Sequence, residues 1–405
     1  MTDSVEHGAV PTNHADRNDY DLFDEEYVAD PAARWAQFRD QCPVAHSTEY
    51  GGSWMPVRYD DVVAAARDVE TFSSAQGVSV IKVANVADSG ILSAGAPPIG
   101  VDPPMHGWTR RLMLAAMSPK AVLSYEPGTR ALCQRLVGEI TAKGHGDAAV
   151  DYAQQLPVRV IGALMGIPEE DSDMFVGWVR AILEFAYDVD GRAAAIGELI
   201  QYMQGQVADR RVNPGDDILS HLVTVEVEGE PVPEDVILGE AALLLVAGVD
   251  TTWSAIGSSL YHLASHEEDR RRLAAEPELL DSFIEEVLRF YSPVTMGRTT
   301  VADTEFAGCP MSEGDRVLMN FPGANRDPDH FEDSDTFVID RARNRHLAFG
   351  VGIHRCAGSN LARMEMRVAI EEWLAAIPEF ELTDPSAVTW AGGQVRGPRT
   401  VPVTF

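Results

Sequence analysis

The chain has 405 residues, 45% hydrophobic and 23% charged, enough apolar side chain to bury a large core, and this excludes a disordered or fibrous class. Against 32 Lys and Arg stand 63 acids, a formal charge of -31, and such a field repels nucleic acid and anionic membrane surfaces. The four cysteines, Cys42, Cys133, Cys309 and Cys356, stand far apart with no CxxC pair, which argues against a zinc ribbon or disulfide framework and fits a reducing cytoplasm.

Residues 1–20 are polar and acidic, without the apolar segment of a signal peptide, and predict a flexible tail; no linker or repeat divides 21–405, which predicts one domain. A short strand is expected over 55–58. Asp102-Pro103-Pro104 has the form of an N-cap followed by prolines in a first helical turn, and the helix it opens carries His106 and Arg110 one turn apart on the same side. The apolar spacing predicts a long helix over 233–266, started by Pro233, Glu234 and Asp235. Its longest apolar run, 241–249, is far short of a membrane span and is flanked by Glu240 and Asp250. Within that helix lies Ala247-Gly248-Val249-Asp250-Thr251-Thr252. The glycine costs the helix roughly 1 kcal/mol relative to Ala, so something such as a ligand is expected to approach the backbone there. The acid and hydroxyl beside it are equipment for passing protons, although a Thr bonded back to a kinked helix leaves the same sequence.

A second helix is expected over 277–291, ending ahead of Pro293. On it Glu286 and Arg289, three apart, share a face, and Arg341 from the following coil completes a structural cluster. Strands joined by turns are expected over 304–320, irregular coil over 325–345, and strands again after Glu379 with Gly392-Gly393 at a turn. The most informative stretch is Phe349-Gly350-Val351-Gly352-Ile353-His354-Arg355-Cys356-Ala357-Gly358, just ahead of a third helix that runs to about Ala376. A Cys356 thiolate there sits at a helix N-terminus, where free amides and the macrodipole favour negative charge, and a bound metal completes the deprotonation. Gly350 and Gly352 allow tight turns, Gly358 allows a flat cofactor to approach, and Phe349 limits water at the sulfur. A dinucleotide loop is excluded, because Arg355 stands where GxGxxG needs its third glycine. His106, Arg110, Arg298 and His354 together form a cation group able to hold two cofactor carboxylates.

These residues resemble the motifs of the cytochrome P-450 family of haem-thiolate monooxygenases, soluble bacterial type. The FGxGxHxCxG pattern is met from Phe349 to Gly358, AGxDT from Ala247 to Thr251, and ExxR by Glu286 and Arg289; the segment 102–110 and Asn325-Arg326-Asp327-Pro328 match as well. The resemblance implies a mainly α fold with small β-sheets, a triangular helical prism around haem b (iron protoporphyrin IX). It implies Cys356 as the iron ligand, Phe349, Gly350, Gly358, Ala247 and Gly248 against the porphyrin, and proton delivery to bound dioxygen by Asp250 and Thr251. The thiolate's electron donation favours cleavage of the O–O bond. The implied reaction inserts one oxygen atom into a small hydrophobic substrate, aromatic or terpenoid in character, by hydroxylation or oxidative dealkylation. Segment 76–99 resembles the loop that roofs the family's pocket, and Phe185, Val246, Ala247, Val294, Thr295, Met296 and Trp390 are the expected walls. With no flavin or iron–sulfur module in the chain, electrons are expected from a ferredoxin and its NAD(P)H-dependent reductase, docked on a basic patch of Arg110, Arg111, Arg355 and Arg363. A haem-thiolate sensor without turnover and a peroxide-driven oxygenase are the alternatives, and the acid and hydroxyl pair argues against both.

Overall fold

The computed structural model describes residues 19–82 and 96–405; the expected tail, up to Arg17 and Asn18, and the 83–95 part of the expected roof lie outside the described residues. Helices α1 (Glu25–Ala29) and α2 (Pro31–Gln41) lead into the hairpin β1 (Val44–Ser47) and β2 (Ser53–Pro56), followed by α3 (Tyr59–Arg67) and β3 (Phe72–Ser73). The pairing with β1, from Val44↔Pro56 to Ser47↔Ser53, sets β2 slightly earlier than the strand expected over 55–58. Helix α4 (Met105–Leu114) begins just after Pro104, but Asp102 does not cap it. Its carboxylate instead accepts from Ser73 Oγ at 2.5 Å and from the Ser74 N–H at 3.0 Å, tying β3 to the approach of α4.

The next helix, α5 (Pro119–Lys143), carries its signals at both ends: Ser118 accepts from the Ala121 N–H, Pro119 fills the first turn, and Gly144 closes the helix at φ +74°. After β4 (His145–Asp147) come α6 (Gln155–Leu164), α7 (Ser172–Leu183), α8 (Val189–Val212), α9 (Ile218–Thr224) and a small hairpin of β5 (Glu226–Val227) and β6 (Glu230–Pro231). Helix α10 (Glu234–Ser265) has 32 residues, as its spacing predicts, and at 1.5 Å per residue runs for ~48 Å. By length and hydropathy it is apolar enough to cross a membrane, yet most of its apolar stretch is buried among the protein's own helices. It packs on α6, α7, α8, α12 and α14, so it is the axis of the main core. Helices α11 (Glu267–Ala275) and α12 (Leu280–Tyr291) follow, α12 ending before Pro293 as expected.

Strands β7 (Met296–Thr300), β8 (Thr304–Phe306), β9 (Cys309–Met311) and β10 (Arg316–Met319), the short α13 (Phe321–Ala324), a long irregular coil and α14 (Ser359–Ala376) lead to β11 (Glu381–Leu382), β12 (Thr389–Ala391), β13 (Gly397–Thr400) and β14 (Pro402–Thr404). The largest sheet has the order β1-β2-β10-β7-β3, with only β2 and β10 parallel. In it Arg316 stands across from Thr299 and Val317 across from Arg298, which puts Arg298 and Arg316 on opposite faces. The mainly α class with small sheets is the one the sequence implies.

One core carboxyl has no partner among the described residues: Glu240 on α10 is 0% exposed, neither oxygen is hydrogen-bonded, and burial pushes its pKa up to about 9. Folded chains keep a proton that unfolded chains release above the ordinary 4.5, so this group makes stability fall as pH rises from about 4.5 towards 9. Glu240→Met is expected to be more stable than the parent, with the gap widening by about 3–4 kcal/mol between pH 5 and pH 8. Urea midpoints at the two pH values check this; a gap that ignores pH would mean that Glu240 is not protonated in the fold.

Candidate active site

The loop before α14 turns back on itself. The Gly350 N–H donates to Leu347 O at 2.8 Å, the Arg355 N–H to Gly352 O at 3.2 Å, and the Cys356 N–H to Phe349 O at 2.8 Å. Gly350 and Gly352 hold φ of +65° and +79°, which side chains resist, and at Gly352 a Cβ would also stand 3.2 Å from Ala66 O. The turn presents Cys356 to a cavity of about 400 Å³, lined from the loop by Phe349, Gly350, His354 and Gly358 and from α10 by Val246, Ala247, Gly248, Thr251 and Thr252. Arg363 stacks on Phe349, its guanidinium carbon 4.4 Å from the ring centroid. Burial pushes the Cys356 thiol up, and the Gly358 N–H with the Arg110, Arg355 and Arg363 charges offsets this only in part. Completing the deprotonation therefore falls to a bound metal ion, the role expected of it beside the helix start.

The four expected cations are gathered beside the sulfur. The His106 and His354 rings meet edge to face at 4.5 Å, His354 Nε2 lies 3.1 Å from Ser74 Oγ, and Arg110 donates to Arg355 O at 2.5 Å. Arg110, Arg298 and His354 line the cavity, with His106 packed behind His354. Burial, then the Arg298, His106 and Arg110 charges, pushes His354 down to about 3, and burial pushes Arg298 down to about 10. Two buried nitrogens here, His106 Nε2 and Arg298 Nε, have no hydrogen-bond partner among the described residues. The Arg110 and Arg298 charges, which no carboxylate pairs among the described residues, and the open donors beside them call for an anion, and two propionate carboxylates answer that need. At Gly358 the nearest atom to an added Cβ is Cys356 Sγ at 3.9 Å, so the side of the loop beside the sulfur is clear for a flat ring. Thiol, cations and clearance all fit iron protoporphyrin.

On α10, Thr251 Oγ1 donates to Ala247 O at 2.8 Å, the back-bonded arrangement, while both residues line the cavity. Asp250 is 1% exposed and does not line it. Its Oδ1 lies 2.8 Å from Arg399 Nη2, close enough for an ion pair but without hydrogen-bond alignment. Arg399 also pairs with Glu184 at 3.0 Å, and Glu184 with Arg180 at 2.9 Å. Burial pushes the Asp250 carboxyl up against the pull of Arg399. Gly248 lines the cavity, where the expected close approach to the backbone would occur, and a Cβ there would also fall 2.6 Å from Ile161 Cδ1 of α6.

Of the expected walls, Val246, Ala247, Val294 and Met296 line the cavity, whereas Phe185, Thr295 and Trp390 do not. Phe185 is 38% exposed under Arg180, Thr295 is turned into a backbone pairing with Gln394, and Trp390 packs on Tyr261, Tyr291 and Arg396. Sequence reasoning missed Ile182, Leu183, Ile196, Leu199 and Ile200 of α7 and α8, whose helical spacing reads equally well as plain core, and two arginines, Arg192 and Arg316. The expected basic patch is smaller than four residues: Arg363 pairs with Glu285 at 2.5 Å and Arg110 turns into the cavity, leaving Arg111 and Arg355 exposed. Glu286, Arg289 and Arg341 do come together, with Arg289 Nη2 2.7 Å from Glu286 Oε1 and Arg341 Nε 3.0 Å from Glu286 Oε2.

Comparison with known proteins is consistent along the chain. The family model described as Cytochrome P450 matches residues 170–386. Cytochrome P450 130 of Mycobacterium tuberculosis is 34% identical over 95% of this chain and 97% of its own length. The steroid C26-monooxygenase of Mycolicibacterium smegmatis is 33% identical over 96% of each. Among solved structures, CYP109E1 of Bacillus megaterium in complex with testosterone superposes with a TM-score of 0.86 at 30% identity, covering 94% of this chain and 99% of that one.

Proposed function

The chain belongs to the cytochrome P450 family of haem monooxygenases, and from that premise we propose that it oxidises a small hydrophobic molecule, by hydroxylation or oxidative dealkylation, with electrons from a separate ferredoxin and NAD(P)H-dependent ferredoxin reductase in the cytoplasm. The observation that carries this reading is that Cys356 and Thr251 open into one cavity whose walls are mainly aliphatic. The relatives named for steroid oxidation or bound to testosterone support a hydrophobic carbon skeleton as the kind of molecule that such a cavity takes.

When bound, haem b supplies dioxygen binding and its reductive cleavage. The chain does the rest. Cys356 would hold the iron, and Arg110, Arg298, His106 and His354 would hold the two propionates. The aliphatic lining of α7, α8 and α10 excludes water and holds the substrate by apolar contact. The Thr251 hydroxyl, its hydrogen committed to Ala247 O, keeps its lone pairs free to accept from water or another O–H donor in the cavity. Asp250, held behind it near Arg399, is the nearest acid on α10 and passes protons forward when it swings away from that arginine.

Reconstitution with a surrogate ferredoxin, its reductase and NADPH tests the reading: products carrying one added oxygen, dependent on NADPH rather than on added peroxide, support it, and no product from any hydrophobic substrate that shifts the haem absorption band refutes it. Thr251→Ala is expected to keep its haem and its substrate-induced absorption change while product per NADPH falls by roughly tenfold or more, the remainder appearing as peroxide. Tightly coupled turnover by that variant would remove Thr251 from proton handling.

A further inference from the structure

Four guanidinium groups line the cavity, from Arg110, Arg192, Arg298 and Arg316, and its sole carboxyl among the described residues is Glu365. Glu365 is 1% exposed, and burial pushes it up to about 8, so it is largely uncharged at neutral pH. Arg110 and Arg298 belong to the cation group that answers the two propionates. Arg192 and Arg316 remain, and neither forms an ion pair among the described residues.

Arg316 is 94% buried by its 6% exposure, and its position is built rather than incidental. Its Nη1 donates to Gly77 O and Ser79 O, both at 2.9 Å, which fixes the guanidinium against the 76–79 segment. Gly297 makes room for it: a Cβ at that residue would lie 2.9 Å from Arg316 Nη1 and closer still to Ser79 O. The opposite edge is unused, because buried Nε has no partner and Nη2 has no acceptor among the described residues. Arg192 on α8 spends only its Nε, on Ile182 O at 3.2 Å, and its two terminal nitrogens have no acceptor among the described residues. The two line the same cavity, and the Arg192 charge joins burial in pushing Arg316 down to about 10, a value that still leaves Arg316 charged at neutral pH.

Two half-used cations in a chamber whose walls are mainly aliphatic leave a charge and donors that a neutral hydrocarbon does not answer. We propose that the substrate of this enzyme is an organic acid, a hydrophobic skeleton ending in a carboxylate that Arg192 and Arg316 hold beside the 76–79 segment. The planar fork of a guanidinium edge, Nε with Nη2, matches the two oxygens of a carboxylate, and one monoanion satisfies both arginines while the aliphatic walls cover the remainder of the molecule. This rests on the monooxygenase reading above and narrows its substrate to one chemical class.

The test titrates the haem-loaded full chain at pH 7.5 with matched pairs, decanoic acid against decanamide and 4-phenylbutanoic acid against 4-phenylbutanamide, reading the haem absorption shift. Each acid is expected to bind at least tenfold more tightly than its amide, and Arg192→Gln is expected to shrink that preference by about tenfold, with Arg192→Lys recovering part of it. Arg316→Gln should do the same, but because it also loosens the 76–79 segment the decision is taken on Arg192. Equal binding of acid and amide, binding of neither, or an acid preference untouched by Arg192→Gln overturns the proposal. The monooxygenase reading is judged separately, by the spectrum of the reduced carbon-monoxide complex and by product formation with the surrogate redox proteins.

Discussion

Cys356→Ala is expected to lose the spectrum that the parent shows when reduced under carbon monoxide, and to lower product formation on the order of a thousandfold or more, because the iron no longer has a thiolate donor. The substitution tests the ligand rather than the fold. The loop around it is held by backbone bonds, Cys356 N–H to Phe349 O and Gly350 N–H to Leu347 O, that an alanine keeps. The haem-free variant should therefore unfold at a denaturant concentration close to that of haem-free parent. A second readout follows from the state of the sulfur. Since burial pushes the thiol up, haem-free protein at neutral pH carries a proton on Cys356 that iron must displace. Uptake of hemin by haem-free parent should release about one proton per site at pH 7, and uptake by Cys356→Ala should release none from this source. A variant that kept the parental carbon-monoxide spectrum would end the assignment of Cys356 to the iron.

What was legible in the sequence is what is local in it. The turns at Gly350 and Gly352, the thiol they present, and the hydroxyl of Thr251 one turn from Ala247 are all fixed within a few residues, so spacing alone locates them. The long helix was equally plain, since a run of apolar residues with acids at its start has few other solutions. Contacts between distant segments were legible only where a motif marks both partners, as for Glu286, Arg289 and Arg341. Asp102 reads as a helix cap, but Ser73 and Ser74 from the preceding strand reach its carboxylate first. Asp250 reads as an acid for passing protons beside Thr251, and the sequence does not show that Arg399 from the last strands of the chain takes one side of it. Gly248 also meets Ile161 of a different helix, and a sequence carries no mark of that. Two of the expected cavity walls were misplaced for the same reason: Phe185 and Trp390 are large and apolar, but their rings are engaged by Arg180 and by Tyr261 and Tyr291 outside the chamber. Arg192 and Arg316 went unread because an arginine on a helix or strand is ordinarily a surface charge, and only the fold shows these two turned inward.

Arg289→Ala is expected to yield chain that does not retain haem, an effect larger than a single ion pair suggests. Glu286 and Arg289 are both 0% exposed, so removing one leaves the other's charge buried without its partner, a cost of about 3–5 kcal/mol against a total stability of about 5–15 kcal/mol. The pair also organises the coil ahead of the Cys356 loop. Arg289 Nη1 donates to Asn325 O at 3.0 Å and Ser334 O at 2.6 Å, and its Nη2 to Thr336 O at 2.9 Å. Glu286 accepts from the Val338 N–H at 2.8 Å, from Arg341 at 3.0 Å and from Asn344 Nδ2 at 3.0 Å. The coil so fastened carries Asn325, whose Oδ1 accepts from the Leu347 N–H at 2.7 Å, and Leu347 O is in turn the acceptor that closes the first turn of the Cys356 loop. On the same helix Glu285 holds His346 at 3.0 Å and Arg363 of α14 at 2.5 Å, so α12 registers both sides of the thiol. Loss of Arg289 thus frees the loop as well as stranding a charge. Glu286→Gln, which keeps an acceptor for Val338 but loses the charge, should be milder than Arg289→Ala. The double variant Glu286→Gln with Arg289→Ala should cost less than the sum of its single changes, because neither buried charge is left alone. Haem content after purification and urea midpoints of the four proteins decide this, and full haem occupancy with a parental midpoint in Arg289→Ala would show that the Cys356 loop is held by other contacts.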